Sequence, residues 1–150
     1  MPRLMSVALT EQAVRDRQKT VTRRLGWWED KHGRRILKPG DHLTLCRKVM
    51  GRKAGEPLVR ICDVEVVSVT REVLRDITPD EVRKEGVDFF EGNPFPDLWF
   101  VSFFCAHMRC HPNTEVTRIE WRYLDETPAG AATGEGGAPA GITLAGGDAS

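Results

Sequence analysis

A short basic segment carries the strongest chemical signal in this chain. Residues 17–24 read Arg-Gln-Lys-Thr-Val-Thr-Arg-Arg, which places four cations beside two hydroxyl side chains. Cations in such a row can neutralise phosphates, and each phosphate contact releases counterions and adds salt-dependent affinity. Trp27 and Trp28 follow directly, and aromatic rings near arginines are typical of sites where bases stack. The residues that we expect to contact RNA or a nucleoside are Arg17, Thr20, Arg23, Arg24, Trp27 and Trp28. The structural alternative for the tryptophans is that one caps the core and the other is partly exposed.

A second cluster of reactive side chains spans residues 105–111, where two thiols and two imidazoles occur close together. On a helix, His107 and His111 share a face, whereas Cys105 and Cys110 point elsewhere. Structural zinc sites usually draw their ligands in two separated pairs, and the remaining cysteines and histidines are not spaced in that way. We therefore predict neither a metal site nor a cofactor, and we expect Cys105 to act as a small buried apolar side chain.

The net charge of zero hides an uneven distribution. Residues 1–53 hold 14 Lys/Arg against 5 Asp/Glu, whereas residues 54–125 hold 8 against 14. A basic first third suits a cleft that faces phosphates. A basic face packed against the acidic segment would produce the same pattern, and charge blocks alone do not separate the two interpretations.

Composition predicts a single domain. The chain has 150 residues, of which 40% are hydrophobic, and this suits one core. No apolar run approaches the roughly 20 residues that span a bilayer, and the start does not resemble a secretion signal. Four scattered cysteines do not resemble a secreted disulfide framework. We expect reduced thiols, a cytoplasmic location, no membrane association and no obligate protein partner.

The elements predicted in the first half of the chain are short. A strand is expected over Arg3–Val7, followed by a brief helix that Thr10 caps. Residues 19–24 are rich in β-branched side chains and predict a strand, and residues 42–46 alternate as a further strand should. Residues 58–70 predict one long bent strand or two short ones at the centre of a sheet.

The second half predicts two helices and a final strand. Thr78 is a helix N-cap with Pro79 at the first helical position, and this helix should end before Gly86. Asp97 is expected to cap a longer helix, and residues 116–124 alternate as a half-buried strand. The core stripe expected on the longer helix consists of Leu98, Val101, Phe104, Cys105 and Met108. Strands joined by long connections predict an α+β mixed barrel with flanking short helices rather than a doubly wound sheet.

Three motifs in this order resemble the ASCH domain, a branch of the PUA-like superfamily. The first is the Lys-Thr-x-Thr-x-Arg pattern within residues 17–24, and the second is Lys-Pro-Gly-Asp at residues 38–41. The third is Ile-Thr-Pro-Asp-Glu-Val-Arg-Lys-Glu-Gly at residues 77–86. The resemblance covers residues 3–124 and implies a PUA-like mixed β-barrel with flanking short helices.

Some small bacterial members of this family are amidohydrolases that remove the acetyl group of N4-acetylcytidine. The resemblance places their catalytic lysine, threonine and glutamate at Lys19, Thr22 and Glu85, as base, nucleophile and acid/base. Burial and nearby arginines would disfavour the charged form of Lys19, as a base requires. Arg24 can stabilise an oxyanion or bind a phosphate. Positions three apart lie on opposite faces of a regular strand, so Lys19 and Thr22 converge only if the chain bends.

The favoured function at this point is binding of RNA or a modified nucleoside in a basic cleft. Amide hydrolysis is the first alternative and ribonuclease activity the second. Binding alone predicts salt-dependent RNA affinity that survives Thr22→Ala, whereas hydrolysis predicts turnover that this change abolishes.

The end of the chain differs from the rest. Residues 126–150 are rich in Gly and Ala and contain no aromatic residue. Such a segment cannot bury enough apolar surface to offset the entropy lost on ordering. We therefore predict an ASCH domain over residues 1–125 and a disordered tail over residues 126–150.

Overall fold

The computed structural model describes residues 2–87 and 92–124. The strands in this part are β1 Arg3–Ser6, β2 Val21–Arg24, β3 His42–Cys46, β4 Arg60–Val73 and β5 Glu115–Tyr123. The α-helices are α1 Glu11–Arg15, α2 Pro79–Lys84 and α3 Pro96–Met108. The predicted tail and the domain boundary near residue 125 lie outside the described residues.

The strands form one mixed sheet in the order β1-β3-β4-β5-β2. β1 and β3 are parallel, and the other neighbouring pairs are antiparallel. β4 is long enough to pair with both β3 and β5, and a register shift between Val66 and Ser68 allows it to bend. Because β1 and β2 remain as edges, the predicted mixed sheet is a half-barrel rather than a closed barrel.

The two edge strands approach each other without pairing. Arg24 on β2 donates from Nη2 to the carbonyl of Ser6 at the end of β1, at 2.5 Å. A side chain therefore bridges the seam that backbone hydrogen bonds would close in a complete barrel.

Two buried clusters hold the elements together. The first lies inside the curved sheet and consists of Met5, Val7, Val14, Leu37, Leu43, Leu45, Val64, Val66, Ile119 and Trp121. The second fastens α2 and α3 to the end of β4 and β5 and consists of Leu74, Ile77, Val82, Phe100, Val101, Phe104 and Val116. Burial of these side chains is the main force that fixes the sheet and helices in place.

The predicted start of α3 is wrong, and its predicted core face is right only in part. Val101 and Phe104 are buried as expected, whereas Cys105 is only partly buried. Pro96 is the first helical residue and Phe95 occupies the N-cap position, so Asp97 lies inside the first turn. Leu98 and Met108 are 59% and 39% exposed, whereas Phe100 is buried. Apolar residues surround this helix, so their spacing does not select the face that packs against α2.

The other predicted elements agree well with the structure. The Thr78 hydroxyl accepts the backbone N–H of Glu81 at 3.3 Å, as the capping signal predicts. Thr10 occupies the N-cap position of α1 but makes no side-chain capping bond. Within the described residues, no helix has the length and apolar character needed to cross a membrane.

Gly86 ends α2 in a conformation that favours glycine, with a φ of 83°. A Cβ here would lie 2.7 Å from Ala13 Cβ and 2.9 Å from Lys19 Cβ. Gly86→Ala should therefore destabilise the fold by about 1–3 kcal/mol more than Gly55→Ala, because overpacking is added to backbone strain. Gly55 has a similar φ of 81° and open space around it. Urea unfolding of both variants tests this, and equal losses of stability would contradict it.

Candidate functional site

One pocket lies at the open seam of the half-barrel and has a volume of about 240 Å³. Its polar side is formed by Lys19, Thr22, Arg23, Arg24 and Glu85. Its apolar wall comes from α3 and consists of Phe100, Phe103, Phe104 and Met108. The residues after β1 complete the rim. The pocket therefore gathers all three residues that the family resemblance assigned to catalysis.

Lys19 is fixed by its backbone as well as by its side chain. Its N–H donates to Ala13 O at 3.2 Å, and its carbonyl accepts the Trp121 indole N–H at 3.0 Å and the Tyr123 hydroxyl. Its Nζ donates to the Glu85 carbonyl at 2.6 Å and to Glu85 Oε1 at 3.3 Å. Only 2% of the residue is exposed. The amine therefore has one defined position at the pocket wall.

Glu85 follows the last residue of α2 and joins that helix to β2. Its Oε1 accepts from Lys19, and its Oε2 accepts from Arg23 Nη1 at 2.9 Å. Glu85 is 4% exposed, so the carboxylate is held between two cations in a nearly dry environment. Gly86 permits this arrangement because any larger residue would push α2 away from Lys19.

The surroundings of Lys19 lower the pKa of its amine. Burial lowers its pKa, the Glu85 carboxylate opposes this effect, and the charge of Arg24 lowers the pKa further. The net direction is downward, as a general base near neutral pH requires. The sequence-based reasoning anticipated both causes.

The three-residue spacing does not place Lys19 and Thr22 on opposite faces of a strand. Lys19 precedes β2, which starts at Val21, so the strand alternation does not apply between Lys19 and Thr22. Thr22 and Arg24 are two apart on β2 and share a face. Arg24 Nε donates to Thr22 Oγ1 at 3.3 Å, which orients the hydroxyl in the pocket.

Acidic side chains neutralise much of the predicted basic strand. Arg23 bonds Glu85 and also donates from Nε to Glu72 at 2.8 Å and from Nη2 to Glu81 at 2.7 Å. Burial by itself lowers the pKa of Arg23, but these carboxylates hold it above its usual value. The acidic second block of the sequence thus packs directly against the basic first block.

Four of the residues predicted to bind RNA or a nucleoside lie away from the pocket. Arg17 is exposed, with its guanidinium carbon 5.1 Å from the centre of the Tyr123 ring. Thr20 uses its backbone to bond Lys84 and Trp121. Trp27 packs against the first core cluster, while the ring of Trp28 stacks on Arg35 at 3.4 Å.

The pocket also contains residues that sequence reasoning missed. These are the apolar wall of α3 and the segment Ser6–Thr10, which begins at the last residue of β1. The density of aromatic residues in 99–104 is the available signal, although core packing alone also explains it.

Cys105 and Cys110 lie together at the end of α3, with 3.9 Å between their sulfurs. The N–H of Cys110 donates to Cys105 O, and Arg109 has a left-handed φ of 55°. The thiols occupy the position where an apolar contact often closes such a helix end. Burial raises the pKa of Cys105, so the thiol stays protonated. Among the described residues, no group of three or more His, Cys, Asp or Glu side chains could hold a metal ion.

The charge network behind the pocket should make stability depend on pH. Hydrogen bonds from Arg118 and Arg23 lower the pKa of Glu81 to about 2, against an ordinary value of 4.5. The stabilisation is fully present above pH 4.5 and is lost as the pH falls toward 2. Glu81→Gln should flatten the fall in unfolding free energy over this range.

Urea unfolding between pH 6 and pH 2 measures the effect. Glu115→Gln is the matched control, because Glu115 pairs with Arg71 and its side chain is 60% exposed. This variant should keep the wild-type slope. A Glu81→Gln slope equal to that of the wild type would contradict the assignment.

No family model matches the sequence, and no curated protein shows significant similarity to it. The structure is similar to protein EF3133 from Enterococcus faecalis, of the family described as DUF984, with a TM-score of 0.59 and 12% identity. The alignment covers 89% of this chain and 86% of that chain. The ASCH domain from Lactobacillus crispatus aligns at a TM-score of 0.48 and 15% identity, over 77% of this chain and 70% of that one. Similarity at such low identity establishes the fold alone, and the chain shares the α+β fold of EF3133.

Proposed function

We propose that this protein binds a modified nucleoside in the seam pocket and hydrolyses an amide on its base, with N4-acetylcytidine as the substrate that the family resemblance implies. The observation that carries the proposal is the convergence of Lys19, Thr22 and Glu85 in one pocket. All three are at most 4% exposed. A cluster of buried polar groups in a cleft is costly to build unless it serves a site.

The dimensions of the pocket also support this substrate class. A volume of about 240 Å³ suits one base rather than several stacked nucleotides. The phenylalanines of α3 offer an apolar wall of mutually tilted rings to a base and its acetyl group, while the opposite side supplies the polar groups. This division into an apolar wall and a few placed polar groups is typical of small-molecule sites.

Thr22, Lys19 and Glu85 can carry out amide hydrolysis with every bond and proton accounted for. The Thr22 hydroxyl attacks the amide carbon, and the neutral Lys19 amine takes the hydroxyl proton. The carbon–nitrogen bond breaks as Lys19 returns that proton to the leaving amine, which leaves an acetyl ester on Thr22. Water then hydrolyses the ester, releasing acetate and restoring the hydroxyl. Glu85 holds Lys19 in position throughout and can accept a hydrogen bond from the amide N–H of the substrate.

The RNA-binding and ribonuclease predictions rest on features that the geometry favours less. Trp27 and Trp28 lie outside the pocket, and one face of Trp28 already stacks on Arg35. Arg23 is surrounded by carboxylates rather than presented to a ligand. An acetylated oligonucleotide as a second substrate tests whether the nucleoside is recognised within RNA.

The direct test is turnover of N4-acetylcytidine by the full chain, with cytidine and acetate separated by chromatography. Thr22→Ala and Lys19→Met should each lower kcat by about 10²–10⁴-fold, because each removes a group that acts in the transition state. Thr22→Ser keeps the hydroxyl and should retain much of the rate. Chelators should not affect turnover, because no step requires a metal.

Lys38→Met is the matched control, because Lys38 is exposed and lies outside the pocket. It should leave kcat unchanged. Circular dichroism should show that Lys19→Met remains folded, since methionine replaces the aliphatic stem without a charge to desolvate. No turnover by the folded wild type at high concentration would contradict the proposal.

The pH dependence of turnover gives an independent prediction. Because the reaction needs the neutral amine, kcat should rise with pH as Lys19 loses its proton. The midpoint should lie below 10.5, the ordinary pKa of lysine, since burial lowers this pKa. A rate that rises only around pH 10.5, or that does not change with pH, would exclude Lys19 as the base.

A further inference from the structure

We propose that Arg24 forms an anion subsite within the seam pocket, which binds a carboxylate or phosphate group of the ligand. This inference rests on the seam pocket being a ligand site, as proposed above, but it does not depend on amide hydrolysis. Arg24 lies on β2 beside Thr22, so the anion would be bound next to the hydroxyl that the proposed reaction uses.

The hydrogen bonds of Arg24 leave much of its guanidinium available. A guanidinium has five N–H donors. Arg24 uses one on Thr22 Oγ1 and one on the carbonyl of Ser6. Within the described part of the chain, no acceptor meets the remaining donors, and the two acceptors it does have are neutral. These two bonds hold the planar group rigidly across the seam.

The protein balances the charge of Arg24 only in part, because the Glu85 carboxylate attracts it without forming an ion pair. Among residues 2–87 and 92–124, no carboxylate forms an ion pair with it. The contrast with its neighbour is direct, because Arg23 is paired with three carboxylates. Burial lowers the pKa of Arg24, which reflects the cost of removing this cation from water. An arginine nevertheless stays charged in proteins.

A ligand anion would accept hydrogen bonds from the unused N–H donors of Arg24 and would also neutralise its charge. A carboxylate or phosphate can accept two parallel hydrogen bonds from a guanidinium, and such paired bonds are strong and directional. The anion would also compensate the half-buried charge. Acetate, the product of the proposed hydrolysis, is the smallest ligand with this chemistry, and a phosphorylated nucleoside is a larger one.

The test uses the full chain labelled with nitrogen-15 and follows the Arg24 Nε–Hε signal in NMR spectra. Sodium acetate and inorganic phosphate are titrated separately, with chloride adjusted to keep the ionic strength constant. We expect at least one of them to shift the Arg24 signal to saturation. Saturation by acetate alone identifies a carboxylate subsite, and saturation by phosphate alone identifies a phosphate subsite.

Variants establish which cation is responsible. Arg24→Gln should weaken anion binding by about tenfold or more, since charge-assisted hydrogen bonds are lost. The Arg24 variants are compared with the wild type through the backbone amide signal of Thr22, because they lack the Arg24 Nε–Hε group. Arg60→Gln removes an exposed positive charge outside the pocket and should change the affinity by less than about twofold. If Arg24→Gln does not fold, Arg24→Lys keeps the charge without the planar fork and should also weaken binding.

Two results would overturn the anion subsite. One is an Arg24 signal in the wild type that neither anion shifts, and the other is equal anion affinity in wild type and the Arg24 variant. Turnover of the nucleoside without anion binding would contradict this inference and leave the proposed function standing. Saturable anion binding at Arg24 without turnover would do the opposite.

Discussion

The carboxylate of Glu85 is the group on which the site depends, because it binds two cations from a different part of the chain. It links Lys19 and Arg23 to the end of α2, and the nearly dry surroundings make each of these contacts strong. Gly86 allows the backbone to pass close enough for this contact to form. Removing Glu85 would leave the buried Arg23 and Lys19 without a shared carboxylate, whereas removing Lys19 leaves Glu85 paired with Arg23.

This arrangement explains why the basic and acidic halves of the sequence are both needed. Three carboxylates of the acidic half surround Arg23, and one of them also fixes Lys19. The protein thereby carries buried ions whose desolvation lowers its stability, and apolar side chains at the same positions would cost less free energy. Active sites commonly trade stability for a reactive arrangement in this way. The lowered pKa of Lys19 is the chemical consequence of this burial.

Much of the fold follows from local patterns in the sequence. The alternation in residues 42–46 predicts β3 with the bounds that the structure has, and the capping signal at Thr78 predicts the start of α2. The exposed side of α3 could not be predicted, because apolar residues surround the helix and tertiary packing selects Phe100 over Leu98. The half-barrel likewise depends on pairing between distant strands, which local patterns do not encode.

Local patterns also predict part of the site. The motif around Lys19 and Thr22 and the Glu-Gly at the end of α2 identify residues that the fold brings together. Their partners could not be read from spacing, since Arg23 reaches Glu72 and Glu81 across 49 and 58 residues of chain. Two tryptophans beside arginines suggest base stacking, but the core fixes the position of Trp27 and Arg35 covers Trp28.

Whether burial makes Lys19 a base can be measured by an NMR titration of its Nζ in the full chain. Lys19→Met identifies the signal by its loss. We expect a titration midpoint below 10.5, since desolvation outweighs the attraction of Glu85. A midpoint at or above 10.5 would mean that the ion pair with Glu85 dominates, and Lys19 would then be a structural cation rather than a catalytic base.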